Sequence, residues 1–255
     1  MYDMHVHTFL NSDCDETFEA YINNALTIGV KSICFTEHVD YNPNDYGLGY
    51  YDSTAFFKAF NRHKEETKSI DLLAGIEFDC PHRFQRELSE LVRLPYDCVI
   101  GSVHYCDLVP DLFFPDLINN GVPAEVCFAA YWEEVLKCVS LGGFDVLGHI
   151  DIPKRYYHDL MYEEPLLREI FRTMLKNNIV LEINTSSLRY GLVELMPGTD
   201  ILKLYCDEGG KYVTIGSDAH IAADLAADYA IARDIAKELD LHEVIFVNRK
   251  MILIK

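Results

Sequence analysis

Short apolar runs alternate with longer amphipathic stretches along this chain, and the alternation repeats seven times. The runs are Tyr2 to Thr8, Lys31 to His38, Asp71 to Asp79, Asp97 to His104, Asp145 to Asp151, Ile179 to Ser186 and Tyr212 to His220. Each has the length and the β-branched or aromatic content of a strand. Between them, apolar residues at helical spacing predict helices over Thr17 to Ile28 (ended by Gly29), Ser53 to Lys68 and Pro81 to about Leu94. Further helices are predicted over Pro123 to Leu141, Glu164 to Lys176 and near Asp200 to Asp207, which stops at Gly209-Gly210. Ala222 to Leu239 predicts the last helix, and Val244 to Ile254 a short strand or hairpin. Strands this continuously apolar are expected to be parallel and buried on both faces.

A flat sheet and a closed barrel both satisfy that pattern, and the strand ends decide between them. Every run closes on residues able to ligate a metal or carry a carboxylate. In a flat sheet seven strand ends would spread over roughly 30 Å at about 4.8 Å per strand. In a barrel they converge on one mouth. The expected fold is therefore α/β, a distorted, TIM-like (β/α)7 barrel forming a single domain over residues 1–255.

Composition narrows the partners. The 255 residues carry a formal net charge of -19, with no Pro/Gly/Ser-rich linker to divide them. Such acidity argues against a nucleic-acid-binding face, which needs a basic stripe. It is compatible with a small substrate and bound cations. No apolar segment approaches membrane-spanning length, and Met1 runs almost directly into the first strand, which leaves no room for a signal peptide. The eight cysteines form no CxxC and often sit inside apolar runs. They read as reduced, partly buried thiols of a cytoplasmic protein, monomer or homodimer.

The first run carries His5 and His7, spaced so that both point to one face of a strand. Neutral histidine is the commonest protein ligand for a metal, yet a surface HxH is as often without function. Six of the ten histidines fall at strand ends: His5, His7, His38, His104, His149 and His220. Each alone is more often a hydrogen-bonded structural residue. Together with Glu77 and Asp218 they are hard to explain structurally, because burying so many titratable groups without compensation would cost several kcal/mol each. A polynuclear metal centre supplies that compensation. His63, His82, His158 and His242 lie in helices or loops and keep the ordinary reading. Asp40, Asp45 and the tyrosines at 41, 46, 50 and 51 form a loop long enough to cover a substrate, and acidic and aromatic walls suit a cation.

The strand-end motifs resemble those of the PHP (polymerase and histidinol phosphatase) superfamily. They are HxH, Thr36-Glu37-His38, Gly75-Ile76-Glu77, Gly101-Ser102-Val103-His104, Gly148-His149-Ile150-Asp151 and Gly216-Ser217-Asp218-Ala219-His220. The segments Ile150 to Tyr156 and Glu182 to Tyr190 are similar to its monofunctional histidinol-phosphate phosphatase branch. The resemblance implies two to three divalent ions (Mn, Fe or Zn). One would rest on His5, His7, Glu77 and Asp218, and Glu77 would bridge to a second on His104 and His149. A third would take His38 and His220, with Asp13 where several members have histidine; Asp13 could equally cap the following helix.

Two such ions can bridge a water, lower its pKa and clamp phosphoryl oxygens during in-line attack. The expected reaction is hydrolysis of a small phosphate ester, L-histidinol phosphate, in histidine biosynthesis. Glu77 is the expected bridge, and Asp218 or His220 the group serving the departing alkoxide. Arg155 and Arg189 are the natural phosphate clamps, with Lys154 a weaker candidate. Glu182 and Asn184 share a face and could meet the substrate or simply pack. Another PHP phosphoesterase acting on a different phosphate or a nucleotide, a metallo-amidohydrolase, and a non-catalytic metal-binding domain are the alternatives. The second is disfavoured because no strand ends in the lysine it usually needs, and the third because every main ligand position is kept.

Overall fold

The computed structural model describes residues 1–108 and 113–254. The loop expected between the fourth strand and Pro123 therefore lies partly outside the described residues. The strands are β1 (Tyr2–Val6), β2 (Ser32–Val39), β3 (Asp71–Asp79), β4 (Cys98–Ser102), β5 (Val146–Leu147), β6 (Val180–Asn184), β7 (Tyr212–Gly216), β8 (His242–Val247) and β9 (Lys250–Leu253). The helices are α1 (Phe18–Ile28), α2 (Ser53–Glu66), α3 (Gln85–Leu91), α4 (Phe114–Asn119), α5 (Ala124–Leu141), α6 (Lys154–Tyr157), α7 (Glu164–Lys176), α8 (Ser186–Arg189), α9 (Thr199–Asp207) and α10 (Tyr229–Glu238).

Strands β1 to β8 pair in sequence order and in parallel, and β9 returns antiparallel to β8. The segment after β7 closes the sheet directly onto β1. Asp218 N–H donates to the His5 carbonyl at 2.8 Å, and His7 N–H to the Ala219 carbonyl at 3.0 Å. Asp3, in the same strand, reinforces this seam. Its carboxylate accepts from Ser217 N (2.9 Å), Ser217 Oγ (2.5 Å) and Ala226 N (2.8 Å). The fold is the distorted (β/α)7 barrel, with C-terminal strand ends gathered at one mouth.

Two apolar cores hold it. One lies between strands and helices and includes Phe18, Phe35, Phe56, Trp132 and Phe171. The other fills the opposite end of the barrel from the mouth, where Val244, Ile245 and Phe246 of β8 pack with Met4, Cys34, Leu73, Cys98, Ile100, Val146 and Val180. The β8–β9 turn places Asn248 and Arg249 at φ 50° and 61°, as a two-residue hairpin turn requires. Asp97 accepts from both their backbone N–H groups at 2.9 Å, and the Arg249 guanidinium pairs with Asp145. The C-terminal hairpin thus plugs the barrel floor.

Three elements differ from expectation. The helix expected from Pro81 begins only at Gln85, because Cys80 adopts φ 46° and the chain turns so that His82 and Arg83 reach Glu134 on α5. The expected helix from Ala222 to Leu239 is split into a 3-10 turn, Ala222–Asp224, and α10. Asp3 captures Ala226 N–H and Thr185 Oγ1 donates to the Ala227 carbonyl at 2.7 Å, so these backbone groups are taken from the helix ladder. The fifth strand shrinks to two residues because the His149 N–H is drawn to a side chain, Glu182, at 2.8 Å.

Glu134 is almost wholly buried and anchors the turn before α3, within hydrogen-bond distance of His82 (2.8 Å), Arg83 (2.7 Å) and Lys137 (2.5 Å). Although burial pushes its pKa up, these partners bring it down to about 2. A depressed carboxylate contributes stability that is present above the unfolded value near 4.5 and is lost as pH falls towards 2. Glu134→Ala should therefore destabilise the protein by about 3 kcal/mol at neutral pH, the cost of stranding buried partners. That loss should shrink between pH 4.5 and 2, read by urea unfolding across pH.

Candidate metal centre

The barrel mouth opens on a cavity of about 520 Å³. Glu77 lies at its base, where β3 carries it between β2 and β4. Its Oε1 accepts from Ser102 Oγ at 2.5 Å and lies 2.7 Å from His149 Nε2 and 3.5 Å from His104 Nε2. Its Oε2 faces His38 Nδ1 at 2.9 Å, His5 Nε2 at 3.1 Å and His7 Nε2 at 3.6 Å. Five imidazoles from four strand ends thus surround one carboxylate. Asp218, at φ 55°, turns Oδ1 towards His7 Nε2 (3.2 Å) and His5 Nε2 (3.9 Å).

Among the described residues four sets of donors lie close enough to hold an ion: His5, Glu77 and His149; His5, His7 and Asp218; His7, His38 and His220; and Asp40, Asp79 and His104. His7 stacks between His38 and His220 at ring separations of 4.3 and 4.4 Å. Asp13 Oδ2 stands 3.6 Å from His38 Nε2 and 3.3 Å from His220 Nε2. It does not cap the following helix; Thr17 does, accepting from Ala20 N at 3.2 Å.

The electrostatics fit cations. His5 Nε2, His7 Nε2 and Glu77 Oε2 are buried and make no hydrogen bond among the described residues, as expected of atoms meant for a metal. Against the upward push of burial, His5 and His38 hold Glu77 well below the usual carboxylate range. Burial and the neighbouring imidazoles of His38 and His220 press His7 down to about 3, leaving a neutral ligand nitrogen. Against burial, Asp79 and Glu77 raise His104 to about 10.

A surrounding shell orients the candidate ligands. Asp79 Oδ1 faces His104 Nδ1 at 3.2 Å and accepts the His104 backbone N–H at 3.0 Å. Asn11 lies 2.7 Å from His7 Nδ1 and accepts His38 N–H at 2.8 Å. Glu37 accepts from Thr8 N and Oγ1 at 3.0 and 2.7 Å, bracing the turn after the HxH pair. Asp79 was legible in principle, since it lies two residues from Glu77 on the same strand face. Asn11 gave no such signal.

The two arginines are placed differently. Arg155 lines the cavity, with Nη2 2.5 Å from Ser186 Oγ and 3.2 Å from Asp218 Oδ2, and its guanidinium stacks 4.1 Å from the Tyr190 ring centroid. Arg189 is not among the lining residues. Its Nε pairs with Asp224 at 3.2 Å and its Nη2 donates to the Ser217 carbonyl at 2.5 Å, so it braces the loop carrying Asp218. Lys154 is buried against Asp151 (2.7 Å) and the Leu195 carbonyl (2.6 Å), away from the cavity. Glu182 and Asn184 are also buried outside its lining, below the mouth.

Asp40, Asp45, Asp116, Tyr46, Tyr105 and Tyr156 form the outer walls, Tyr105 donating to Asp45. Burial raises Asp40 to about 7. Of the other loop tyrosines, Tyr41 packs on Phe78 and Phe84, Tyr51 pairs with Tyr96 at 2.6 Å, and Tyr50 lies outside the lining. No described helix is long and apolar enough to cross a membrane, and the eight cysteines are free.

Comparison with known proteins agrees with this geometry. The chain is 30% identical to a probable histidinol-phosphatase of Clostridium acetobutylicum, over 98% of each chain. It is 29% identical to the histidinol-phosphatase of Lactococcus lactis, over 95% of this chain and 92% of the relative. The crystal structure of the histidinol phosphate phosphatase from that organism, complexed with zinc, L-histidinol and phosphate, superimposes with a TM-score of 0.82 at 27% identity, covering 98% of both chains. The PHP domain model matches residues 3–186, and with strand-end ligands meeting at one barrel mouth the chain belongs to the PHP domain family.

Proposed function

We propose that this protein is a metal-dependent phosphomonoesterase that hydrolyses L-histidinol phosphate to L-histidinol and phosphate. The observation that carries the reading is one cavity with converging metal donors at its base, a buried arginine beside them and acidic, aromatic walls above. The likeness to a structure holding zinc, L-histidinol and phosphate supports it.

In this reading His5, His7, Glu77 and Asp218 hold one ion, Glu77, His104 and His149 a second, and His38, His220 and Asp13 a third. Divalent Mn, Fe or Zn bound there would supply Lewis acidity and an activated water for attack on phosphorus. Arg155 grips phosphoryl oxygens through a guanidinium already freed from bulk water and fixed by Ser186 and Tyr190. Arg189 acts behind it by fixing the Asp218 backbone, in place of the direct clamp expected from sequence. Asp218 or His220, whose Oδ1 and Nδ1 lie 3.8 Å apart, serves the proton of the departing alcohol. Asp40, Asp45 and Asp116 suit an alcohol carrying a cation and disfavour nucleotides, whose further phosphates they repel.

The test is a phosphatase panel on metal-quantified protein. At least two equivalents of Mn, Fe or Zn per chain are expected, with activity lost on chelation and recovered on metal return. Histidinol phosphate should exceed sugar phosphates and nucleotides in kcat/KM by about a hundredfold or more, because mismatched ligands leave the wall carboxylates unpaired. Equal turnover of a nucleotide would replace this substrate with another phosphate ester, and full activity without metal would remove the mechanism.

A further inference from the structure

We infer that Glu182 is a positioning carboxylate shared by two ligands of the metal centre, setting the ring orientation of His5 and the backbone position of His149. This rests on the reading of those histidines as metal ligands. Glu182 is 1% exposed and does not line the cavity, so it meets neither solvent nor substrate. Its Oε1 lies 2.7 Å from His5 Nδ1, and its Oε2 accepts the His149 backbone N–H at 2.8 Å and Asn184 Nδ2 at 3.2 Å.

A carboxylate offers only acceptors once ionised, so the His5 nitrogen facing it carries the hydrogen. The opposite nitrogen, Nε2, is then the one with a free lone pair, and it is the nitrogen aimed at Glu77 and Asp218. At His149 the same carboxylate seizes a backbone N–H that a longer β5 would have committed to its neighbour, and His149 Nε2 is thereby presented to Glu77 Oε1 at 2.7 Å. Glu77 and Glu182 thus flank the pair, one on the side of the proposed ions and one behind.

Space for this is made by glycine. A Cβ on Gly216 would fall on Glu182 Oε1 and within 2.5 Å of His5 Cβ, and one on Gly148 would stand 2.9 Å from Ser102 Oγ and 3.5 Å from Glu182 Oε2. Any side chain at Gly216 would therefore displace the carboxylate, the ring or both.

Glu182→Gln is nearly isosteric but offers one acceptor and one donor. Both main contacts of Glu182 are to N–H groups, so glutamine must turn its own N–H₂ against one of them. Zinc titration of chelator-stripped protein, by competition with a chromophoric chelator, should show affinity weakened by about tenfold to a hundredfold. Thermal unfolding of the metal-free variant should match the parent, which separates positioning from a purely structural role. In ¹⁵N-histidine spectra of zinc-loaded parent protein, His5 should carry its proton on Nδ1. Unchanged zinc affinity in Glu182→Gln overturns the inference, and so, even if the variant does not fold, does a His5 Nδ1 without its proton in the zinc-loaded parent. A parent that binds no zinc instead sinks the metal-centre reading itself.

Discussion

Glu77→Gln should lower turnover by on the order of a hundredfold to a thousandfold, the cost of removing one charged group from a reacting site. Glutamine keeps the size of the side chain and its Ser102 contact. It removes the single negative charge that five histidines face, so cations bound there would lose their shared counter-charge. Metal content should fall with activity, and elemental analysis beside the phosphatase assay reads both. Metal-free Glu77→Gln should be less stable than the metal-free parent, because the imidazoles of His5 and His38 that hold Glu77 ionised lose their partner. Near-normal turnover with full metal content would mean that Glu77 does not bridge and that the centre is assembled otherwise.

Arg155→Ala should cut kcat/KM for histidinol phosphate by about tenfold to a hundredfold, since a desolvated, charge-assisted contact to phosphate is worth roughly 1.5–3 kcal/mol. Arg155 pairs with Asp218, but through Oδ2, while Oδ1 faces His7. Metal content should therefore survive the substitution. Much of the loss should fall in KM if the guanidinium holds ground state and transition state alike. Arg155→Lys should recover only part, because an ammonium can neither stack on Tyr190 nor reproduce the planar fork. An Arg155→Ala enzyme with parental kcat/KM would move the phosphate contact elsewhere on the cavity wall.

Part of the site is legible because His5, His38 and Glu77 lie on strands and His7 directly follows one, where the period of two is a property of the backbone itself. His5 and His7 share a face, as Glu77 and Asp79 do, whereas a register shift between Asp3 and Val6 turns Asp3 off that face. Loop residues follow no such rule. Arg155 and Arg189 both leave strand tops and look equivalent in the chain. One ends in the cavity on Tyr190, the other behind Asp218 on Asp224 and the Ser217 carbonyl, because α6 and α8 turn their side chains in different directions. The wall tyrosines divide for the same reason: Tyr46 reaches the cavity while Tyr41 and Tyr51 find aromatic partners behind it.

The sequence by itself determined the alternation of strands and helices, the parallel barrel and the end at which the chemistry gathers. Those follow from local periodicity, from the burial of apolar runs and from the need of seven polar strand ends to meet. Only the tertiary structure decided what each buried carboxylate serves. Glu182 looked as ready to meet a substrate as to pack, and became the partner of His5 and His149. Asp3 took the backbone of Ala226 and so broke a helix that the hydrophobic pattern predicts unbroken. A carboxylate accepts from whichever donors the fold brings within about 3 Å, and those donors lie 33 to 223 residues away in these cases. Spacing along the chain carries no information at that range.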